Sequence, residues 1–261
     1  MRDQVISLGA IKSLLALLHP QQKLTILRVA AWCVSNLTRG KPSVDFEAVE
    51  CVLPALIQVL EQCTDEAVIT DTLWAVSFLT DDSSPTSSKL DRVVAIPRLI
   101  PRIIHFLRHP TFNIQSASLR CVGNIASGND LHTNMLIEND VLSGILALMV
   151  SPRKILRKEA AWALSNISAG TTKHVEAIFD AGIVPICVRI LENESFNLQK
   201  EAAWCISNIT TNGTLPHLLL LTKPPLDVTP PLMELFTCQG ASDAISLVVL
   251  IAIQNLLKQQ D

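Results

Sequence analysis

The phrase AAWALSNISAG (160–170) returns as AAWCISNITTNG (202–213) and is already present as AAWCVSNLTRG (30–40). Variants of it occupy DTLWAVSFLTDD (71–82) and SLRCVGNIASG (118–128). Trp32, Trp74, Arg120, Trp162 and Trp204 therefore mark one position in five copies, spaced by 42, 46, 42 and 42 residues. The long interval contains the Ser-rich stretch DDSSPTSSK (81–89), which reads as an insertion. A period in this range means that each copy is one supersecondary unit, unable to bury its apolar face except against its neighbours.

Within a copy, an opening element is legible as CVLPALIQVL (51–60), AIPRLIPRIIHFL (95–107), VLSGILALM (141–149), IVPICVRIL (183–191) and VTPPLMELF (228–236). Its apolar residues recur at steps of three and four, the period of a packed helix. Pro54, Pro101, Pro185 and Pro230 share one register, which suits the first helical turn, where a missing N–H costs nothing. A longer helix with the Trp follows, and the segments 132–140 and 174–182 supply a short first helix. Gly128, Gly170 and Gly213 are expected to close three of the long helices as left-handed caps. Three helices per copy is the armadillo pattern rather than the two-helix HEAT pattern. The expected fold is all-α, a right-handed armadillo-repeat superhelix of five to six repeats. Residues 1–261 form one array with repeats at about 1–40, 41–82, 90–129, 130–171, 172–213 and 214–261.

Composition excludes several function classes. The chain is 49% hydrophobic with no Tyr and a net charge of −3, so nothing directs it to nucleic acid. Its longest apolar run, AISLVVLIAI (244–253), is shorter than the roughly 20 residues that span a bilayer, so no membrane partner is expected. Asp3 and Lys12 interrupt the N-terminal apolar stretch, which reads as repeat helix rather than signal peptide. The seven cysteines form no Cys-x-x-Cys pair, and Cys33, Cys121 and Cys205 follow the repeated Trp/Arg position as small packing residues. His105 and His109 are four apart without a carboxylate at a matching step, and Pro110 ends their helix. They read as surface residues and not as metal ligands. No cofactor or catalytic motif is present, and no enzyme activity is expected; the carboxylate pair Asp81-Asp82 lies at a helix end.

The chemistry lies in the repeated pair. Trp162 and Asn166 are four apart, as are Trp32 and Asn36, and Trp204 and Asn208, so each pair shares a helix face. Asp71, Glu159 and Glu201 stand three residues before Trp74, Trp162 and Trp204. Indole, carboxamide and carboxylate together make a poor core and a good binding face. A carboxamide can clamp the backbone of an extended peptide. Slots between indoles accept the stem of Lys or Arg, with about 0.5–2 kcal/mol from a cation over the ring. The expected ligand is a peptide with Lys or Arg at alternate positions.

The ordered variants AAWALSNISAG, AAWCISNITTNG, WAVSFLTD and RCVGNIASGND resemble importin-alpha, the armadillo family that reads nuclear localisation signals. The resemblance covers nearly the whole chain. It implies that Arg120, with Asn124 as its clamp, marks the repeat separating a major signal site from a minor one. It also implies that Trp162, Asn166, Trp204 and Asn208 form the minor site, with Glu159, Glu201, Gly128 and Thr133 around it. Trp32, Asn36, Asp71 and Trp74 match the far end of the major site. Val29 and Phe78 depart from the family's Asn and Tyr. The expected partners are cargo proteins with basic signals, in cytoplasm and nucleus. The chain reads as truncated at both ends, without the basic segment that binds importin-beta, and no importin-beta complex is expected. A scaffold for another protein partner and a folded remnant without transport activity stay open as alternatives.

Overall fold

The computed structural model describes residues 1–81, 88–238 and 242–258. Asp82 and most of the Ser-rich insertion lie outside them. Every regular element among the described residues is helical, and the chain falls into two compact units, Met1–Gly128 and Asn129–Asp261.

The first unit contains α1 (Arg2–Ser7), α2 (Ala10–Leu15) and α3 (Leu24–Thr38). A single 3-10 turn at Glu50–Val52 precedes α4 (Leu53–Gln62) and α5 (Glu66–Thr80). Next come α6 (Lys89–Val94), α7 (Leu99–Phe106) and α8 (Phe112–Ala126). The second unit contains α9 (Asp130–Glu138), α10 (Val141–Met149) and α11 (Lys154–Ser168), then α12 (Thr172–Asp180), α13 (Val184–Asn193) and α14 (Phe196–Asn212). It ends with α15 (Leu215–Leu220), α16 (Thr229–Thr237) and α17 (Asp243–Leu257). None of these helices is long and apolar enough to cross a membrane.

The long helices stack in series, α3 on α5 on α8 in one unit and α11 on α14 on α17 in the other. Alanine sets how closely they approach. Ala31, Ala75, Ala117, Ala161, Ala163 and Ala203 are all buried at the contacts, and Ala is also the best helix former. Each long helix receives a shorter partner on its other side, α4 on α5, α7 on α8, α10 on α11, α13 on α14 and α16 on α17. Buried Leu, Ile and Val from both sides fill the space, such as Ile103 and Ile114 or Val188 and Leu198. Each such side chain contributes about 1.5–3 kcal/mol on burial.

The prolines stand where the expected helix starts are, Pro54, Pro185 and Pro230 at the second helical residue of α4, α13 and α16. Pro101 is third in α7, still within the turn that needs no N–H partner.

The glycines differ from expectation. Gly128, Gly170 and Gly213 are absent from the residues with positive φ, and Gly213 has φ −77°. Space explains two of them. A Cβ on Gly170 would strike the imidazole of His174, and one on Gly213 would lie 2.6 Å from Ile209 O. Gly40, just after α3, does have positive φ (113°), but the left-handed conformation recurs in the turn between the first and second helix of a repeat. Arg98 (φ 66°), Asp140 (62°) and Gly182 (68°) adopt it at intervals of one repeat, and Gly9 (88°) precedes α2 in the same way. Glycine takes this conformation at no steric cost, whereas Arg98 gives up about 1–2 kcal/mol.

Candidate peptide-binding face

In the first unit the indole of Trp32 on α3 is 57% exposed. Asn36, one turn on, is also exposed and donates to Trp32 O at 2.8 Å. On α5, Trp74 is half-buried and its ring stacks on Phe78 at 6.0 Å. Phe78 stands where the other copies have the carboxamide, so this rung is aromatic throughout. Arg120 on α8 is half-buried, whereas Asn124 is only 9% exposed.

The burial of Asn124 has a purpose. Its Nδ2 donates to Ser77 O on α5 at 2.8 Å and reaches Thr80 Oγ1 at 3.4 Å. In the second unit Asn208 on α14 repeats the arrangement, with Nδ2 to Ser165 O on α11 at 2.9 Å and to Ser168 Oγ at 3.4 Å. The amino half of the carboxamide is thus committed to the preceding long helix. Ser77 O and Ser165 O also accept from the hydroxyls of Thr80 and Ser168. A carbonyl opposite a carboxamide admits only its N–H side, so the Oδ1 is the half left to a ligand. Sequence reasoning had the whole carboxamide as a clamp; in Asn124 and Asn208 only the acceptor half is uncommitted.

Glu159, Trp162 and Asn166 share α11, and Glu201, Trp204 and Asn208 share α14. Trp162 is half-buried, and Trp204 is 43% exposed. Burial pushes the Glu201 carboxyl above the usual carboxylate range; Lys158 and Lys200 pull it partly back, and Glu159 pushes it up again. Asp71 on α5 is also pushed up, by burial alone. Neither carboxylate has an ion-pair partner among the described residues. Each is a partly desolvated charge that an incoming cation would stabilise.

Asp71 opens into a groove of about 690 Å³ at the N-terminal ends of α5 and α8, lined also by Arg28, Asp65, Glu66, Thr111 and Asn113. Arg28 neutralises Asp65 through two hydrogen bonds, at 3.1 and 2.6 Å. Thr111 Oγ1 donates to Glu66 at 2.6 Å. Asp71 is the acid of this groove whose carboxyl burial raises.

Gly128 is exposed at the end of the first unit, and Thr133 on α9 is 3% exposed. Thr133 therefore presents little surface to a ligand. His105 is exposed, while His109 Nδ1 accepts the Thr111 N–H at 3.1 Å at the start of α8. No group of three or more metal-binding side chains occurs among the described residues.

Two sets of residues escaped sequence reasoning. His132, His174 and His217 cap the short first helices α9, α12 and α15. In each the Nδ1 accepts the backbone N–H of the residue three positions earlier, Asn129, Thr171 or Thr214. The signal was a His three residues after Asn or Thr, at intervals of 42 and 43 residues. The other is Asn255 on α17, whose Nδ2 donates to Thr211 Oγ1 at 3.1 Å. It follows Ile251 by four residues, as Asn36, Asn166 and Asn208 follow Trp.

Comparison with known proteins agrees with this architecture. The armadillo/beta-catenin-like repeat model matches residues 1–39, 129–169 and 171–211. Importin subunit alpha-1a of Oryza sativa subsp. japonica is 39% identical over 165 residues. Over that stretch the chain is similar to importin-alpha. That alignment takes in 63% of this chain and 30% of the rice protein. Importin subunit alpha-3 of Arabidopsis thaliana is likewise 39% identical, over 162 residues, and 30% of it is covered. The importin-alpha likeness thus spans about 30% of the length of these curated relatives. Among solved structures, the designed armadillo repeat protein YIII(Dq)4CqI matches with a TM-score of 0.83 at 20% identity, over 94% of this chain and 98% of that one. A second designed armadillo repeat protein, solved in complex with peptide (KR)4, matches at 0.81 and 22% identity, with the same coverage. These two show the armadillo fold.

Proposed function

We propose that the chain binds Lys/Arg-rich nuclear localisation signals of cargo proteins in extended form, as an import adaptor working in cytoplasm and nucleus. The observation that carries this is the composition of the α14 rung. An exposed indole at Trp204 lies one helical turn from an unpaired, partly desolvated carboxylate at Glu201, and one turn from an amide whose oxygen is left to a ligand at Asn208. A Lys or Arg stem laid against the indole gains cation–π attraction and puts its charge toward Glu201. The Asn208 Oδ1 accepts a backbone N–H of the same peptide. Asp71 and Trp74 repeat the acid–indole pairing on α5. The importin-alpha relatives and the designed armadillo protein solved with peptide (KR)4 support the reading.

Magnitudes place the affinity. A slot offers about 0.5–2 kcal/mol from the cation over indole, each backbone hydrogen bond about 0.5–1.5, and a half-exposed carboxylate about 0–1. Two slots with four to six hydrogen bonds are a modest set against the costs of association, so binding no tighter than micromolar is expected. Isothermal titration of a Lys/Arg-rich peptide into the chain tests this. Micromolar binding lost on replacing the Lys and Arg residues by Ser is expected. Indifference to those residues overturns the reading.

A further inference from the structure

α17 continues the register of α14 with one rung altered. Ile251 stands in the place of Trp204, Asn255 in that of Asn208, Ala252 in that of Cys205 and Val248 in that of Glu201. The packing follows the register. Ala252 and Val248 are buried, as Cys205 is, and Asn255 turns its amide toward Thr210 and Thr211 on α14. Ile251 is 37% exposed, and Leu247, one turn before it, is exposed too. The face that carries Lys200 and Trp204 on α14 therefore carries Leu247 and Ile251 on α17. No acid accompanies them: the one charged residue of α17 within its helical span is Asp243, at its first turn. The position that holds Glu201 on α14 is filled on α17 by the buried Val248, so α17 brings no carboxylate of its own to this face.

We infer that the slot between α14 and α17, walled by Trp204, Leu247 and Ile251 with Asn255 at its edge, takes an apolar side chain of the bound peptide rather than a cation. The inference rests on the proposed peptide binding and assigns the residue that flanks the basic cluster. A Lys placed there would give up water without meeting a carboxylate, whereas a Leu would cover aliphatic surface on both sides. Asn255 keeps the peptide backbone in register, because its amino group is held by hydroxyls and its oxygen is left to accept.

The test uses the full chain and fluorescent peptides with one basic cluster, in which the residue flanking it is Leu, Ser, Lys or Asp. The flank is varied on each side in turn, so that peptide direction is read out. On one side only, Leu should bind about five- to tenfold tighter than Ser, from the apolar area covered, and Lys should gain nothing over Ser. The Ile251→Asp variant should lose the preference for Leu and acquire one for Lys, and Ile251→Ala should lose the first without gaining the second. Circular dichroism confirms the fold of both, since Ile251 is exposed. If the basic cluster binds and the flanking residue is indifferent on both sides in the parent, the apolar slot is overturned while the basic site stands. If no basic peptide binds, the function itself fails and the slot with it. If the chain is a dimer that Ile251→Asp makes monomeric, a second copy covers this face, and the assignment to a peptide is again overturned.

Discussion

Asn208 on α14 donates its amide to the backbone oxygen of Ser165 on α11, across 43 residues of sequence. The bond joins two repeats and at the same time aims the Asn208 oxygen. Its removal has a structural and a binding consequence. Asn208→Ala should cost about 1 kcal/mol of stability, near the middle of the range for one hydrogen bond, because Ser165 O keeps the Ser168 hydroxyl. Asn208→Asp should cost more, since it sets a carboxylate oxygen against a carbonyl oxygen. Urea unfolding of both variants ranks them, and equal stabilities would remove the staple from consideration.

Trp204 separates binding from folding. Its side chain is 43% exposed, so Trp204→Ala should change unfolding free energy by about 1 kcal/mol while lowering peptide affinity by about 2 kcal/mol, as central aromatic anchors do. Titration calorimetry alongside thermal unfolding gives both numbers. Unchanged affinity would take the ligand away from α14.

Two glycine substitutions distinguish conformation from space. A Cβ on Gly182 meets nothing within 4 Å, but φ there is +68°. Gly182→Ala should therefore cost about 1 kcal/mol through the backbone alone. At the homologous Arg98, replacement by Gly should stabilise the chain for the same reason. Gly170→Ala acts otherwise, by pushing the His174 ring off its cap, and should cost more than Gly182→Ala. The order of the three melting temperatures is the readout.

Acid should weaken the fold through His174. Its Nδ1 accepts the Thr171 N–H and its Nε2 bonds Asn134 Oδ1 at 2.8 Å, so the ring is neutral with its proton on Nε2. Burial lowers its pKa, with Asp130 opposing. The unfolded chain therefore takes up this proton at a higher pH, near 6.5, than the folded chain does. Stability is fully present above about pH 6.5 and falls as pH drops from there toward the lowered value, by up to about 1.4 kcal/mol per pH unit. His174→Gln, which can keep the cap, should flatten this part of the profile in urea titrations at pH 5 to 8.

Peptide binding should also respond to pH and salt through Glu201 and Asp71. Burial raises both carboxyls, so they lose charge on acidification earlier than ordinary carboxylates, which titrate near 4. Affinity for a basic peptide is expected to decline below the raised values while the α-helical signal is retained, and Glu201→Gln should remove most of that decline. Raising ionic strength should weaken the parent more than the Gln variant. Fluorescence anisotropy across pH and salt measures both.

Much was legible along the chain because a helix relates residues three and four apart by its own geometry. The period of the Trp/Arg position, the proline starts of the second helices, the Trp–Asn pairs on one face and the acids one turn before the indoles are all relations within a single helix or a single repeat. The resemblance to importin-alpha follows from the order of the variants, which is also written in the chain. Tertiary structure decided what depends on a neighbouring repeat. Which half of the Asn124 and Asn208 carboxamides is committed within the fold depends on Ser77 and Ser165, residues 47 and 43 positions away. That Gly170 answers to the His174 ring rather than to φ is visible only once α12 has folded back beside it. The raised carboxyls of Asp71 and Glu201 reflect water displaced by helices packed around them, and no spacing encodes how much water a carboxylate keeps.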